Sequence, residues 1–180
     1  GGHILSLGLE SIKVDGTVYM VPRSETMAIR NCLNYGIHAN CTSIMGSPGE
    51  TLEGLKHTVG FIRWQEKLYD LHNIPSGAVN KQMFTMTWYP GTELIKYEKV
   101  RTELTRAFGL KFKPTTNPRC PYEPVCDENF HCYLLELDDA HKLLHGPDGK
   151  PVNFSDMPDE VLLHAREYAD SGQLFRILDM

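Results

Sequence analysis

One junction limits the fold of this chain more than any other. The alternating run IHANCTSIM (Ile37–Met45) leads directly into GSPGET (Gly46–Thr51) and then into LEGLKHTVGFIRWQEKL. Ile37, Ala39, Cys41, Ser43 and Met45 fall on one face of a strand, and His38, Asn40, Thr42 and Ile44 on the other. Leu52, Leu55, Val59 and Ile62 then recur at three- and four-residue spacing, which is the period of a helix. A strand must therefore hand over to a helix within about six residues. Glycine lets another group approach the main chain there, proline stiffens the turn, and a helix start presents N–H groups. Such a turn suits a small polar or anionic ligand, although Gly46 and Gly49 equally serve a tight βα turn with no ligand at all. Glu50 and Thr51 read as ordinary first-turn residues favoured by the helix dipole.

The same device recurs. AVNKQMFTMTWY is β-prone and reads as a strand ending at Tyr89, followed by Pro-Gly, a capping-type Thr92 and a helix reaching about Phe108. Upstream, HILSLGLES is short and apolar, as in a strand of a parallel sheet, and a helix over 24–35 follows, closed by Gly36. Strands alternating with helices of this length point to βα units around a parallel sheet, with function at the carboxyl ends of the strands. After Gly109 the pattern changes. KFKPTTNPRCPYEPVCDENFHC holds four prolines and three cysteines without sustained periodicity, and reads as a loop or small appendage. A short helix near ELDDAHKLLH, a Pro-Asp-Gly-Lys turn joining two extended pieces, and a terminal helix from about Asp156 or Pro158 to Ser171 complete the chain. The expected division is residues 1–110 and an extension over 111–180.

With 180 residues, 41% hydrophobic and 23% charged, one core is within reach and a second would be cramped. The formal charge of −5 argues against a polynucleotide partner, which would need clustered Lys and Arg. No apolar run spans a membrane and GGHILSLGLES has no basic leader, so a cytoplasmic setting is expected. Five cysteines, an odd count, disfavour a disulfide framework.

Three motifs in register carry a resemblance: LGLES, then NYGIHANCTSIMGSPGET, then FTMTWYPGTEL, each separated by a helix. Across Leu5 to about Leu94 they resemble the second half of the radical S-adenosylmethionine barrel, in the form common among its cobalamin-binding members. The resemblance implies an α/β fold, a partial (β/α) TIM-like barrel of three parallel βα units with an irregular, mainly helical C-terminal extension. It implies that Glu10 and Ser11 reach the ribose and amino-acid part of S-adenosylmethionine, that Ile44 and Gly46 lie against adenine, and that Thr87, Trp88 and Tyr89 lie near the adenine edge. A carboxylate accepting ribose hydroxyls and an apolar side chain covering one base face are sound chemistry for those roles.

The departure from the family is as informative. Members hold a [4Fe–4S] cluster on a CxxxCxxC loop after the first barrel strand, and this chain contains no such spacing. Strands one to three are likewise not represented. On its own, then, the chain is expected to be unable to cleave S-adenosylmethionine reductively, and it is read as a fragment of a radical enzyme whose parent carries the cluster, with cobalamin a further possible cofactor. The competing reading is a non-catalytic binding or assembly module that docks on a complementary chain or on itself. A methyltransferase of unrelated fold would need a glycine-rich loop after its first strand, which is absent. Outside the resemblance, Cys120, Cys126 and Cys132 lie six residues apart with His131 beside the last; they are candidates for zinc or an accessory cluster, or are ordinary thiols. His57, His141, His145 and His164 read as surface histidines, Trp64 and Trp88 as packing residues, and Glu136, Asp138 and Asp139 as a solvated helix start.

Overall fold

The computed structural model describes residues 3–8, 12–14, 17–19, 23–137 and 143–180. Strand β1 (His3–Gly8) is followed by a small antiparallel hairpin of β2 (Ile12–Val14) and β3 (Thr17–Tyr19), which the apolar periodicity did not mark. Helix α1 (Arg23–Asn34) buries Ile29, Cys32 and Leu33, while Met27 stays exposed; Gly36 ends it at φ +69°, donating its N–H to Leu33 O. Strand β4 (Ile37–Met45) then runs over the expected nine residues, with Ala39, Cys41, Ser43 and Met45 buried and the intervening side chains half-buried.

Helix α2 (Leu52–Leu71) begins at Thr51, whose hydroxyl accepts the Gly54 N–H at 3.2 Å. It packs Leu55, Val59, Ile62 and Tyr69 against the buried face of β4. Among the described residues strand β5 (Met83–Thr85) pairs only with Ser43–Met45. Upstream of that pairing, side chains from α2 complete the β4 backbone: Tyr69 Oη accepts the Ala39 N–H at 2.8 Å, and Gln65 Nε2 donates to Ala39 O at 3.0 Å. The described sheet is thus three strands in the order β1-β4-β5, with both pairings parallel. The chain is mixed α/β.

The third strand is shorter than the run AVNKQMFTMTWY suggests. Its ladder ends with the Met86 N–H on Met45 O at 2.8 Å, and the next residues leave the sheet. Trp88 is the cause: it is 1% exposed in a second cluster, where it stacks on Tyr133 with ring centroids 5.6 Å apart, and Tyr133 Oη donates to Trp88 O at 2.6 Å. That cluster is built by a 3-10 turn (Glu93–Lys96), helix α3 (Glu98–Phe108), a hairpin of β6 (Phe112–Pro114) and β7 (Tyr122–Pro124), and helix α4 (Glu128–Glu136). The proline-rich stretch is therefore structured, though the hairpin manages only three paired positions a side. Thr92 opens the 3-10 turn without capping it, its hydroxyl bonding back to Tyr89 O instead. Helix α4 starts earlier than the sequence indicates, capped by Asp127, so Glu136 closes a helix rather than opening one; Asp138, Asp139 and His141 lie outside the described residues.

From Leu143 onward the chain serves both clusters. Its Pro-Asp-Gly-Lys turn joins two extended pieces through a bridge between His145 and Pro151, as expected. Leu144, Val152 and Phe154 enter the second cluster, whereas Leu143, Met157 and helix α5 (Asp159–Asp170) join the first. Arg166 on α5, 8% exposed, donates to Met83 O at 2.6 Å and pairs with Asp170. The helix following β5 in sequence, α3, thus packs in the second cluster, and α5 takes the position against β5. A last 3-10 segment (Leu174–Asp179) lies along α2.

Candidate functional site

The carboxyl ends of β4 and β5 bring Gly46 and Met86 together. Gly46 adopts φ +87°, a backbone state that glycine takes without penalty, and a Cβ placed on it would stand 3.8 Å from Leu162 Cδ1 and 3.9 Å from Met86 Cβ. Ile44 precedes it on the half-buried face of the strand, in line with Thr42 and Asn40. That face combines an apolar side chain with short polar ones, a chemistry that fits a planar base with a polar periphery. Thr87 turns its hydroxyl to Thr85 O at 3.3 Å, Tyr89 is 40% exposed, and Trp88 points its ring into the second cluster. Glu10 and Ser11 lie outside the described residues.

The turn itself departs from its sequence reading. Two of the N–H groups expected to greet a ligand, those of Gly46 and Ser47, are already taken. Glu50 is fully buried, and its Oε2 accepts the Gly46 N–H at 2.5 Å and the Ser47 N–H at 3.3 Å. Its own N–H goes to Ser47 O at 2.9 Å, and its carbonyl accepts the Asp156 N–H at 2.8 Å from the segment before α5. Oε1 has no partner among the described residues. Burial pushes the carboxyl up from 4.5 to about 7, and the two N–H bonds pull it back only in part. Glu50 is therefore not a first-turn residue answering the helix dipole. Pro-Gly reverses the chain ahead of the Thr51 cap, so the side chain folds back onto the end of the strand it has just left. A glutamate four residues beyond the first glycine, with Pro-Gly between them, is the signal that would have revealed it.

The three candidate metal cysteines are held by separate elements. Cys120, in the loop of the β6–β7 hairpin, donates its thiol to Gly91 O at 3.3 Å; Cys126 is exposed in the connection from β7 to α4; Cys132 is exposed on α4. Among the described residues no group of three or more His, Cys, Asp or Glu side chains is placed to hold a metal ion. A [4Fe–4S] cluster accordingly does not fit the described side chains. Beside Trp88 and Ile95 a cavity of about 310 Å³ opens against the hairpin, with Cys120 and Tyr122 on its wall. The indole Nε1 of Trp88 is buried without a partner among the described residues, an orphaned donor that no sequence pattern signals.

Among the described residues no helix is long and apolar enough to cross a membrane. No family model, no curated protein and no solved structure matches this chain.

Proposed function

We propose that this chain supplies the S-adenosylmethionine-binding half of a radical S-adenosylmethionine barrel, with β1, β4 and β5 as successive strands of a partial (β/α) TIM-like barrel. The observation that carries the reading is that these strands are parallel and lie side by side in chain order, as strands of a winding barrel do. Gly46 and Met86 meet at the ends of two of them. In this reading Ile44 covers one face of adenine, Gly46 lets the base approach the backbone, and Thr87 and Tyr89 flank the adenine edge. Glu10 and Ser11, just beyond β1, take the ribose and amino-acid portions. The cofactor, reduced in an intact parent whose cluster ligands come from outside this chain, supplies the radical chemistry; the residues here orient it and exclude water. Cobalamin in the parent rests on motif style, and a cytoplasmic setting belongs to the same proposal.

The half-buried face of β4 (His38, Asn40, Thr42 and Ile44) favours a second reading, a non-catalytic module that covers this face with a complementary chain or a second copy. Calorimetric titration with S-adenosylmethionine and with adenosine separates the two. The first reading expects saturable binding weakened about tenfold or more by Ile44→Asp. A chain that binds neither ligand and self-associates until Ile44→Asp disperses it supports the module instead.

A further inference from the structure

We infer that Glu50 is the specificity-determining residue of the Gly46 turn: by occupying the Gly46 and Ser47 N–H groups, it closes this strand end to phosphates and leaves it to an uncharged base. The inference deepens the nucleoside reading above and rests on it only for the identity of the admitted ligand.

A glycine-containing turn between a parallel strand and a helix start is ordinarily an anion site, because its N–H groups and the helix dipole both favour negative charge. This turn is built the opposite way. Glu50 Oε2 takes the Gly46 N–H at 2.5 Å and the Ser47 N–H at 3.3 Å from within the protein. Ser47 O holds the Glu50 N–H, and Thr51 Oγ1 holds the Gly54 N–H. The first turn of α2 also carries Glu53, which is paired with Lys56 at 3.5 Å. The two donors at the strand end, Gly46 N–H and Ser47 N–H, are thus consumed, and the carboxylate that consumes them carries a second oxygen without a partner among the described residues. Water cannot easily displace it, since Glu50 is 0% exposed and its main chain is tied to Asp156. What the strand end leaves available is a close approach to the Gly46 backbone beside Ile44, which suits the flat face of a base and offers a phosphate neither of these two donors.

Amide resonances of Gly46 and Ser47, followed by NMR in the whole chain, test this with adenosine, adenosine monophosphate and inorganic phosphate as probes. In the wild type, adenosine is expected to shift both resonances and phosphate to leave them unmoved, with the monophosphate binding no tighter than adenosine. Glu50→Ala frees the two donors and is expected to raise phosphate affinity at these amides about tenfold, the effect of roughly 1.4 kcal/mol. Glu50→Gln keeps a carbonyl oxygen in place and should behave as the wild type. Phosphate shifting the wild-type amides, or shifting them in Glu50→Gln, overturns the inference, and these two arms decide it even if Glu50→Ala does not fold. A folded Glu50→Ala protein that ignores phosphate overturns it too. If adenosine moves nothing while the phosphate results stand, the nucleoside reading falls and anion exclusion survives.

Discussion

The two hydrophobic clusters of this protein are made by different means. The first is periodic: an alternating strand, helices with apolar residues three and four apart, and aliphatic side chains such as Ile29, Leu55, Val59 and Ile62. Backbone hydrogen bonds of a parallel sheet hold it in register. Among the described residues the second has only the short β6–β7 hairpin beside it. It is assembled around a ring stack, Trp88 on Tyr133 with Phe108 and Phe112 edge-on, and short elements are pinned to it by single contacts such as Tyr133 Oη to Trp88 O. A periodic core distributes its stability over many interchangeable positions, whereas an aromatic hub concentrates it in a few.

The difference can be attacked directly. Trp88→Ala removes the hub and should cost about 3–5 kcal/mol by the usual scale for a buried large side chain. Urea denaturation followed by Trp64 fluorescence should show it. Trp64 packs against the first cluster, so a loss of that size reported there means that the clusters unfold together. An unchanged Trp64 transition, with only α3 and α4 losing hydrogen-exchange protection, would mean that they are independent units.

A second test separates them by pH. Glu50 belongs to the first cluster's rim, and its carboxyl, normally near 4.5, is raised to about 7 in the fold. The folded state therefore binds this proton more tightly than the unfolded chain. Stability from this group is greatest below about pH 4.5, falls as pH rises towards 7, and stays low above that, a total of about 3 kcal/mol. Glu50→Gln should abolish that slope in denaturant melts taken across the window, and an unaltered slope would place its origin elsewhere. At the edge of the second cluster the sign is opposite. Asp148 is held below its ordinary range by the Lys150 N–H and by Arg106, so whatever it contributes is kept at neutral pH and lost in acid.

The smallest effect is the most specific. Tyr133→Phe keeps the ring stack and deletes the bond to Trp88 O, leaving a buried carbonyl short of a donor. About 1 kcal/mol is expected, read as a shift in the thermal midpoint. No shift would leave stacking alone to hold the hub.

How far the sequence revealed each part follows from the same contrast. Strand β4 and helix α2 could be read almost to the residue, because alternation and helical spacing are local and unbroken there. The extent of β5 could not: Met83–Trp88 looks uniformly β-prone, and only the demand of Trp88 for aromatic neighbours at 112 and 133 explains why the ladder stops after Thr85. Helix α4 was hidden because four prolines upstream suppress periodicity up to its Asp127 cap. At the candidate site, Ile44 and Gly46 stand where the motifs place them at the end of β4, and Glu10 and Ser11 lie outside the described residues. Glu50 was misjudged for a physical reason. A glutamate just before a helix usually answers the dipole in solvent, and nothing in its immediate neighbours reports that Pro-Gly folds it inward.

The stretch Val152–Met157 places Val152 and Phe154 in one cluster and Met157 in the other, and its Asp156 N–H reaches Glu50 O. During synthesis neither cluster can close until this late stretch has left the ribosome. A nascent chain stalled before residue 150 would carry a parallel sheet without α5 and an aromatic hub still lacking Val152 and Phe154, both sticky surfaces that a chaperone would have to shield.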